Sequence, residues 1–481
     1  MIKIKNYING ELFEPSNQEY IDIYNPSIGK VYAKCPSSNK ADLDNAIEGA
    51  ESSFYKWANL KQKDRSDFLF KIADLIENDL DEFAKAESLD NGKPYKLSKS
   101  LDIPRSIKNL RFFASIANRL EKESYNKNDV ISHILRQPLG IVATISPWNL
   151  PLYLFTWKIA PALVSGNCVI AKPSEITPYT AYLLSKICIK AELPKGVLNI
   201  LHGSGEIIGE EIVSHKKIKA ISFTGGTNTG KKIARKAAKN LKKVSLEMGG
   251  KNPVIIFDDC NYDKMIDSIL KSSFLNQGQI CLAGSRIYIQ ETIYDDFKKD
   301  FIAKVKNLKI GDPFDDNIDQ GAIVSIDHLK KILKYINIAK KEGGIILTGG
   351  EIPSMNKKHA SGWYVTPTVI ENLSEDSIIN QEEIFGPVVT LNTFKNEKEV
   401  IKMANNSDYG LASVIWTNNI RRAEKLAEDI ESGLVWINCW LERDLRTPFG
   451  GIKNSGFGKE GGEYALNFFT EPKNVCIKYY D

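Results

Sequence analysis

Strands and helices alternate from residue 140 to residue 250, and this alternation limits the chain to a small set of folds. Short β-branched runs such as GIVATIS, CVIAK, GVLNI and IKAISFT are separated by runs of helical length. Parallel strands joined through a helix need right-handed crossovers, so the pattern predicts a mostly parallel sheet covered on both faces. The rhythm returns after Gly250, with NPVIIF, SRIYIQ and strands near 345–348 and 388–394, which predicts a second α/β unit.

Two segments depart from this rhythm. Residues 40–120 show helical spacing, with Leu43, Ala46 and Ala50 on one face, which predicts successive helices. Residues 468–479 contain NVCIKYY, a strand with no local partner, and such a terminal strand often pairs with another unit or subunit. The chain has no internal repeat, which excludes a solenoid.

Charge and hydropathy exclude several classes of partner. The chain has 481 residues, and its 64 Lys and Arg against 60 Asp and Glu leave a net charge of +4, too small a field to attract nucleic acid or an acidic membrane. The most apolar stretch, residues 140–171, is interrupted by Pro147, Pro151, Lys158 and Pro161, so no membrane span is expected. We expect partners that are small molecules or further copies of the chain, and neither nucleic acid nor a membrane.

The cysteines predict a reducing compartment. They number seven, are widely scattered and form no CxxC or CxxH pair, which disfavours a disulfide scaffold and a metal site. The first twenty residues lack the apolar core of a signal peptide. These observations predict a cytoplasmic protein without a bound metal.

Cys281 differs from the other cysteines in its surroundings. In FLNQGQICLAGSR it is flanked by glycines and amide side chains, which let a ligand approach, although a free cysteine is more often inert and buried. Glu247 ends the predicted strand VSLE and either faces the ligand crevice of an α/β sheet or is an exposed strand-end carboxylate. Together they indicate a thiolate nucleophile and a general base that activates water. Asn149 could hold an oxyanion, but it is also an ordinary turn and N-cap residue.

Three loops could bind a cofactor, although each alone is more often a plain turn. HGSGEIIGEE has glycines spaced GxGxxxG, one residue longer than the dinucleotide fingerprint. SFTGGTNTGKK lies at a strand-to-helix turn, where a helix N-terminus could accept a pyrophosphate. In AKPSE, Lys172 and Glu175 offer a cation and a carboxylate for ribose hydroxyls.

The motifs SPWNLP, AKPSE, FTGG, LEMGGKNP, GQICLAGSR, EEIFGPV and PFGGIKNSGFGKEGG, taken in order, resemble the NAD(P)-dependent aldehyde dehydrogenase superfamily over nearly the whole chain. The resemblance implies two Rossmann-like parallel-sheet domains and a small β oligomerisation element, in a homodimer or homotetramer. Residues 1–118 and 139–247 would form the NAD-binding domain, 248–455 the catalytic domain, and 119–138 with 465–481 the oligomerisation element.

The resemblance also implies roles for individual residues. Cys281 would be the nucleophile, Glu247 the general base, and Asn149 with the Cys281 amide the oxyanion hole, while Lys158 and Glu463 would relay protons. Lys172 and Glu175 would bind the adenosine ribose, the turn 225–230 the pyrophosphate, Glu383 the nicotinamide ribose and Phe385 the nicotinamide ring. The full set expected to contact the cofactor is Ser146, Trp148, Lys172, Ser174, Glu175, Gly205, Gly209, Phe223, Thr224, Gly225, Gly226, Gly230, Met248, Gly249, Glu383 and Phe385.

Three of these positions refine the expected chemistry. Gly226 stands where the family usually has Ser, so a hydroxyl that helps hold the cofactor is missing. Glu175 should repel a 2′-phosphate, which favours NAD over NADP. Glu247 favours hydrolysis of the acyl-enzyme, because family branches that transfer the acyl group to phosphate or coenzyme A lack this carboxylate.

Arginines bear on the substrate. Arg443 and Arg446 lie in CWLERDLRTPFGG, where they could be a surface pair matched to Glu442 and Asp444. Alternatively, this segment resembles the branch that oxidises 2-aminomuconate and 2-hydroxymuconate semialdehydes, in which arginines aligned with Arg443 and Arg105 bind the substrate carboxylate. The resemblance thus predicts an anionic aldehyde as substrate.

Three other functions are compatible with parts of the sequence. A general aliphatic, aromatic or betaine-type aldehyde dehydrogenase would leave Arg443 without a role in recognition. A non-catalytic binding protein would have no need for Cys281, Glu247 and Asn149 together. A thiol hydrolase without NAD is disfavoured by the loops that contain Glu175 and Glu383.

Overall fold

A computed structural model describes residues 1–117 and 123–480. The elements of the first half are β1 (Ile2–Lys3), β2 (Asn6–Ile8), β3 (Glu11–Phe13), β4 (Tyr20–Asn25), β5 (Lys30–Pro36), α1 (Lys40–Ala58), α2 (Gln62–Asn78), α3 (Leu80–Asn91), α4 (Tyr95–Leu97), α5 (Ile103–Ile116), β6 (Ser124–Lys127), β7 (Val130–Pro138), β8 (Ile141–Ile145), α6 (Pro151–Val164), β9 (Cys168–Lys172), α7 (Tyr179–Lys190), β10 (Leu198–Ile200), α8 (Glu210–Ser214), β11 (Ile218–Thr224), α9 (Thr227–Ala238) and β12 (Lys243–Glu247).

The elements of the second half are β13 (Asn252–Ile256), α10 (Tyr262–Phe274), β14 (Gly284–Gln290), α11 (Tyr294–Lys306), α12 (Ile326–Lys341), β15 (Ile345–Thr348), β16 (Thr368–Glu371), α13 (Ile378–Gln381), β17 (Val388–Phe394), α14 (Glu397–Asn405), β18 (Tyr409–Gly410), β19 (Ala412–Trp416), α15 (Ile420–Asp429), β20 (Leu434–Ile437), β21 (Ile452–Lys453), β22 (Gly456–Phe457), α16 (Gly462–Phe468) and β23 (Thr470–Lys478). The predicted α/β fold class is confirmed.

The first large sheet has the order β22-β12-β11-β8-β9-β10-β2-β3, and its five central strands run parallel. The chain passes from β8 outward to β9 and β10, and then returns to the other side of β8 to add β11 and β12. This reversal next to β8 is the topological switch point where open α/β sheets bind ligands. Helices of the segment 40–116 and α6 pack on this sheet around one apolar core.

The second large sheet has the order β15-β16-β17-β14-β13-β19-β20, with every pairing parallel except that of the edge strand β15. The chain enters it directly, because only four residues separate the end of β12 from the start of β13. The carboxyl edge of the first sheet therefore faces the amino edge of the second. Both edges contribute to the same crevice.

A third, three-stranded sheet pairs β23 with β7 and β7 with β6, all antiparallel. Its strands come from the two segments expected to form the oligomerisation element. Residues 119–122 and 481 of that element, and residue 118 of the NAD-binding domain, lie outside the described part. The boundaries of the domains stay a prediction. Leu445, Ala465 and Phe469 nevertheless pack into the core of the first sheet, so the chain returns to that unit near its end.

The described residues include no helix that is both long and apolar enough to cross a membrane.

Candidate active site

The candidate site lies in the crevice where the two large sheets meet. The carboxyl ends of β8, β11 and β12 lead to Asn149, Gly225 and Glu247, while the segments before β14 and β17 carry Cys281 and Glu383. A cavity of about 220 Å³ in this crevice is lined by Cys281 and Asn149. Eight residues predicted to contact the cofactor also line it: Trp148, Thr224, Gly225, Gly226, Met248, Gly249, Glu383 and Phe385.

A second cavity, of about 450 Å³, lies on the other side of the β11–α9 turn. It brings together five more of the predicted cofactor residues, namely Lys172, Glu175, Gly205, Gly209 and Phe223. The remaining three lie close by without lining either cavity. Ser146 follows β8, the Ser174 hydroxyl accepts a hydrogen bond from Ile176 N within its own turn, and Gly230 packs on the Met248 side chain.

The nucleophile loop has an unusual backbone. Asn276, Gln277 and Gly278 all have positive φ angles, of 53°, 56° and 67°. Two non-glycine residues in this region cost of order 1–3 kcal/mol each, and such strain persists only where surrounding contacts hold it. Here the Gln277 amide donates to Ala322 O at 2.8 Å, and a side chain at Gly278 would overlap the backbone of Gly386. The sharp turn delivers Cys281 to the cavity.

Asn149 lies beside that loop. Its side-chain Nδ2 donates to Gln279 O at 3.0 Å, two residues before Cys281. The Asn252 side chain holds the other side of Cys281 by donating to its carbonyl oxygen at 2.7 Å. Asn149 and Cys281 are thus fixed against each other at one wall of the cavity.

Electrostatics keep the Cys281 thiol protonated when the cavity holds only solvent. Burial is the main cause that raises its pKa to about 12, and the neighbouring carboxylates of Glu383 and Glu247 raise it further. Arg443 acts in the opposite direction. The thiol therefore needs a proton acceptor before it can attack.

Glu247 does not line the cavity itself. Its carboxylate packs against Gly450, so closely that a side chain there would overlap Oε1, and neither oxygen has a hydrogen-bond partner among the described residues. Burial raises its pKa well above the usual range, and Glu460 raises it further, while Lys158, Lys459 and Arg443 oppose this. Because its pKa is raised, the Glu247 carboxylate binds a proton more strongly than an ordinary carboxylate does, which suits a general base.

Lys158 has a buried carboxylate as its partner. The fully buried Lys158 Nζ donates to Glu460 Oε1 at 2.6 Å and to Ser222 Oγ at 3.0 Å. Glu463, which was also expected to relay protons, is exposed in the first turn of α16, and its role stays a prediction. Glu460 is paired with Phe449 through a backbone bridge, and its carboxylate contacts Lys158.

The residues of the two cavities fit a dinucleotide. Thr224 lines the smaller cavity, and Ser146 lies next to Pro147 of its lining. Both hydroxyls are buried and have no hydrogen-bond partner in the described chain, so they are available to a polar ligand. Lys172 Nζ donates to Glu175 Oε2 at 3.1 Å, which holds that carboxylate toward the larger cavity. Although burial alone would raise the pKa of Glu175, the Lys172 charge and backbone donors lower it, so Glu175 is anionic.

Glu383 and Phe385 face the smaller cavity. Glu383 Oε1 accepts from Gly250 N at 2.9 Å, and a side chain at Gly249 would overlap the same carboxylate. Phe385 has a φ of 64° and lies edge-on to Trp148, with ring centroids 5.2 Å apart. His328 fixes it by contacting Phe385 O at 2.7 Å, and burial lowers the pKa of His328 to about 4, so this contact is made by a neutral imidazole.

Two arginines lie against Tyr153 of α6. Arg443 Nη1 donates to Tyr153 Oη at 3.3 Å, and the Arg105 guanidinium lies 5.5 Å from the Tyr153 ring centroid. Arg443 also stacks on Phe449 at 3.9 Å. Burial lowers the pKa of Arg105, and the charge of Arg443 lowers it too.

The two arginines lack the counterion that such a pair normally has. Neither forms a salt bridge to a described carboxylate, and Arg105 Nε and Arg443 Nη2 are buried without a partner in the described chain. Arg446 differs, because its Nε donates to Asp444 Oδ1 at 2.9 Å at the surface. The surface-pair interpretation therefore applies to Arg446 and not to Arg443.

Sequence reasoning missed several residues of the site. The structure adds Glu460, His328 and Tyr153, and it places a buried Lys93 beneath Asn149. His328 lies in the amphipathic helix α12 and Tyr153 in α6, whose residues are all buried. In neither helix does spacing alone separate a site residue from a core residue. Lys93 follows a helix C-terminus, a common place for a solvated lysine.

Comparison with known proteins agrees with this geometry. The model of the aldehyde dehydrogenase family matches residues 13–475, and the chain belongs to that family. It is 44% identical to the 2-aminomuconic semialdehyde dehydrogenase of Homo sapiens, covering 100% of this chain and 99% of that protein. It is 41% identical to the 2-hydroxymuconic semialdehyde dehydrogenase of Pseudomonas sp. (strain CF600), covering 99% and 100%.

Among solved structures, the chain is similar to the betaine aldehyde dehydrogenase of Staphylococcus aureus in complex with NAD⁺. The TM-score is 0.96 at 37% identity, covering 99% of this chain and 95% of that one. Together with the fit of the two cavities to a dinucleotide, this supports NAD as the cofactor. The predicted family, enzyme class and cofactor are confirmed.

Proposed function

We propose that this protein oxidises an aldehyde that carries a carboxylate at its far end, with 2-aminomuconate or 2-hydroxymuconate semialdehyde as the physiological type. The observation that carries the proposal is the pair Arg105 and Arg443, which converge on Tyr153 without a carboxylate partner among the described residues. Both arginine side chains are half-buried against the same tyrosine, and their like charges repel each other unless an anion completes the site. A substrate carboxylate would supply that anion through charge-assisted hydrogen bonds.

In the proposed reaction, each residue of the candidate site acts in a particular step. Glu247 takes the proton from the Cys281 thiol, and the sulfur adds to the aldehyde carbon, forming a thiohemiacetal. Asn149 Nδ2 and the Cys281 amide hold the oxyanion. Glu383, Phe385 and the other residues that line the two cavities would hold NAD, which would supply the acceptor for the hydride of that carbon; loss of the hydride leaves a thioester. After that first proton has left the site, Glu247 takes a proton from water, which attacks the thioester. Glu247 then gives this proton to the departing thiolate, so that the acid and the Cys281 thiol are released.

The proton that Glu247 takes from the Cys281 thiol must leave the site before Glu247 can act on water. Lys158 and Glu460 lie next to it as a buried hydrogen-bonded pair, and both influence its pKa. We assign them the relay role, since the bond between them supplies a route for a proton out of the buried site.

A general aldehyde dehydrogenase is the alternative. A betaine-type substrate is disfavoured because its cationic group would meet two arginines of like charge. A neutral aliphatic or aromatic aldehyde would leave the two guanidinium groups without an anion. The names of the two muconic semialdehyde dehydrogenases support the anionic class.

The test uses two aldehydes of equal length, 6-oxohexanoate and hexanal, with NADH formation followed by absorbance. We expect kcat/KM for 6-oxohexanoate to exceed that for hexanal by at least tenfold, with NAD preferred over NADP. The Cys281→Ala variant should form no NADH from either. Equal kcat/KM for the two aldehydes would refute the carboxylate assignment and favour the general enzyme.

We also infer a homo-oligomer in the cytoplasm. The strands β6, β7 and β23 form an antiparallel sheet at the periphery, and β23 is exposed along most of its length, as a subunit contact would require. All seven cysteines are free in the described chain, which suits a reducing compartment. Light scattering would distinguish monomer, dimer and tetramer.

A further inference from the structure

The main chain at Asn149 is held from beneath by three side chains. Its carbonyl oxygen accepts hydrogen bonds from Lys93 Nζ at 3.0 Å, Asn276 Nδ2 at 3.0 Å and Asn91 Nδ2 at 3.4 Å. Asn91 Nδ2 also donates to Trp148 O at 3.0 Å. Because the peptide is fixed at this point, the direction of the Asn149 side chain is constrained as well.

Lys93 is the only ammonium group among these donors, and it is fully buried. Its Nζ donates to Glu87 Oε1 at 3.1 Å and to Asp102 Oδ2 at 2.6 Å, and both carboxylates are as buried as the lysine. The three protons of the ammonium are thus matched by Glu87, Asp102 and the Asn149 carbonyl. A buried ion cluster of this kind is seldom more stable than an apolar replacement, so stability alone does not explain it.

The two carboxylates connect the lysine to neighbouring parts of the site. Glu87 Oε2 accepts from Leu152 N at 3.3 Å, in the first turn of α6, just after Asn149. Asp102 ends the π-helical turn Ser98–Asp102, three residues before Arg105 on α5. Such π-turns are frequent at functional sites. The cluster therefore joins the helix that carries Arg105 to the loop that carries the oxyanion donor.

We propose that Lys93, clamped between Glu87 and Asp102, is a positioning residue that fixes Asn149 for oxyanion stabilisation. The inference rests on the proposed function, which gives Asn149 that role. An oxyanion donor contributes only if it is held in place before the charge develops. Loosening the peptide should therefore lower the rate of the chemical step and leave the binding of NAD unchanged.

The test needs a variant that removes the ammonium without leaving an uncompensated charge. Lys93→Met alone leaves two buried carboxyl groups, so we pair it with Asp102→Asn. Burial raises the pKa of Glu87, which reduces the charge that remains. Lys99→Met is the matched control, since Lys99 lies on the same turn but pairs with Asp81 at the surface.

The readout is hydrolysis of 4-nitrophenyl acetate, which uses the Cys281 thiol and the oxyanion donor but no hydride transfer. We expect kcat of the K93M/D102N variant to fall by about ten- to a hundredfold, with Kd for NAD within twofold of wild type. For K93M alone, kcat per folded molecule should fall by the same factor. The control K99M should hydrolyse the ester at the wild-type rate.

A double-mutant cycle separates positioning from a structural role. Asn149→Ala should lower kcat strongly in the wild-type background and by less than threefold in K93M/D102N, because the clamp no longer aims the amide. Full additivity, or an unchanged kcat with only a lower Tm, would overturn the proposal. If wild type hydrolyses the ester but oxidises no aldehyde, the proposed function fails and the cycle still tests the clamp.

Discussion

Gly226→Ser is predicted to tighten NAD binding, and the structure allows the gain to be worked out. Gly226 is the N-cap of α9, with φ −67° and ψ 143°, an extended conformation open to serine. A Cβ there would meet no described atom within 4 Å, and α9 has no side-chain cap in the described chain. Serine in place of glycine at an N-cap contributes a few tenths of a kcal/mol, so the fold should be slightly stabilised.

The larger effect concerns the cofactor. Gly226 lines the smaller cavity at the N-terminus of α9, where backbone amides and the helix dipole favour a phosphate. A hydroxyl that donates to a charged oxygen contributes about 1.5–3 kcal/mol, and ordering the serine side chain costs well under about 1 kcal/mol. The net gain of about 1–2 kcal/mol corresponds to a Kd for NAD lower by about five- to thirtyfold.

Calorimetric titration of NAD into wild type and G226S measures this directly. Gly225→Ser is the matched control, since its Cβ would lie only 2.5 Å from Cζ of Phe223 and should disturb the same turn. We expect G225S to bind NAD more weakly than wild type. A folded G226S protein with unchanged or weaker affinity would refute the assignment of this turn to the pyrophosphate.

Three further predictions concern titration, cofactor choice and proton transfer. The pKa of Cys281 is raised to about 12, so only a small fraction of the thiol is ionised below that pH. The rate of its alkylation by iodoacetamide, measured by mass spectrometry, should therefore rise about tenfold per pH unit from pH 7 to 10. A rate that reaches a plateau below pH 9 would contradict this. Glu175→Gln should raise the ratio of kcat/KM for NADP to kcat/KM for NAD at least tenfold in steady-state assays. The substitution removes a negative charge that repels the 2′-phosphate and leaves Lys172 without its carboxylate partner. An unchanged ratio would mean that the ribose 2′-hydroxyl does not lie near Glu175. Glu460→Gln should lower kcat at least tenfold, while Glu463→Gln should stay within twofold; equal effects would argue against the relay through Glu460.

Much of the fold could be predicted because hydrophobic periodicity is a local property. The predicted strands at 345–348 and 388–394 coincide with β15 and β17. The strands before residue 37 were not predicted. β1, β2 and β3 are only two or three residues long, whereas β4 and β5 have six and seven residues and pair with each other locally. Ile200 pairs with Tyr7, a partner that no local pattern indicates.

Site residues that lie in sequence motifs could be predicted, whereas residues that reach the site only through tertiary packing could not. Cys281 and Asn149 lie together as the motif series implied. Glu460 and Glu463 are three positions apart in GKEGGEY, and only the pairing of residue 460 with Phe449 turns one of them toward Lys158. Lys93 gave no signal, because a lysine after a helix is usually solvated, and burial appears only in three dimensions.

The substrate preference of an Arg443 variant tests the central claim most directly. Arg443→Met keeps a long unbranched side chain but removes the charged guanidinium that stacks on Phe449, and Arg446→Met removes a surface arginine already paired with Asp444. A charge-assisted pair is worth about 1.5–3 kcal/mol. The ratio of kcat/KM for 6-oxohexanoate over hexanal should therefore fall at least tenfold in R443M and less than twofold in R446M. An unchanged ratio in R443M, with hexanal oxidation intact, would contradict recognition of a substrate carboxylate at this site.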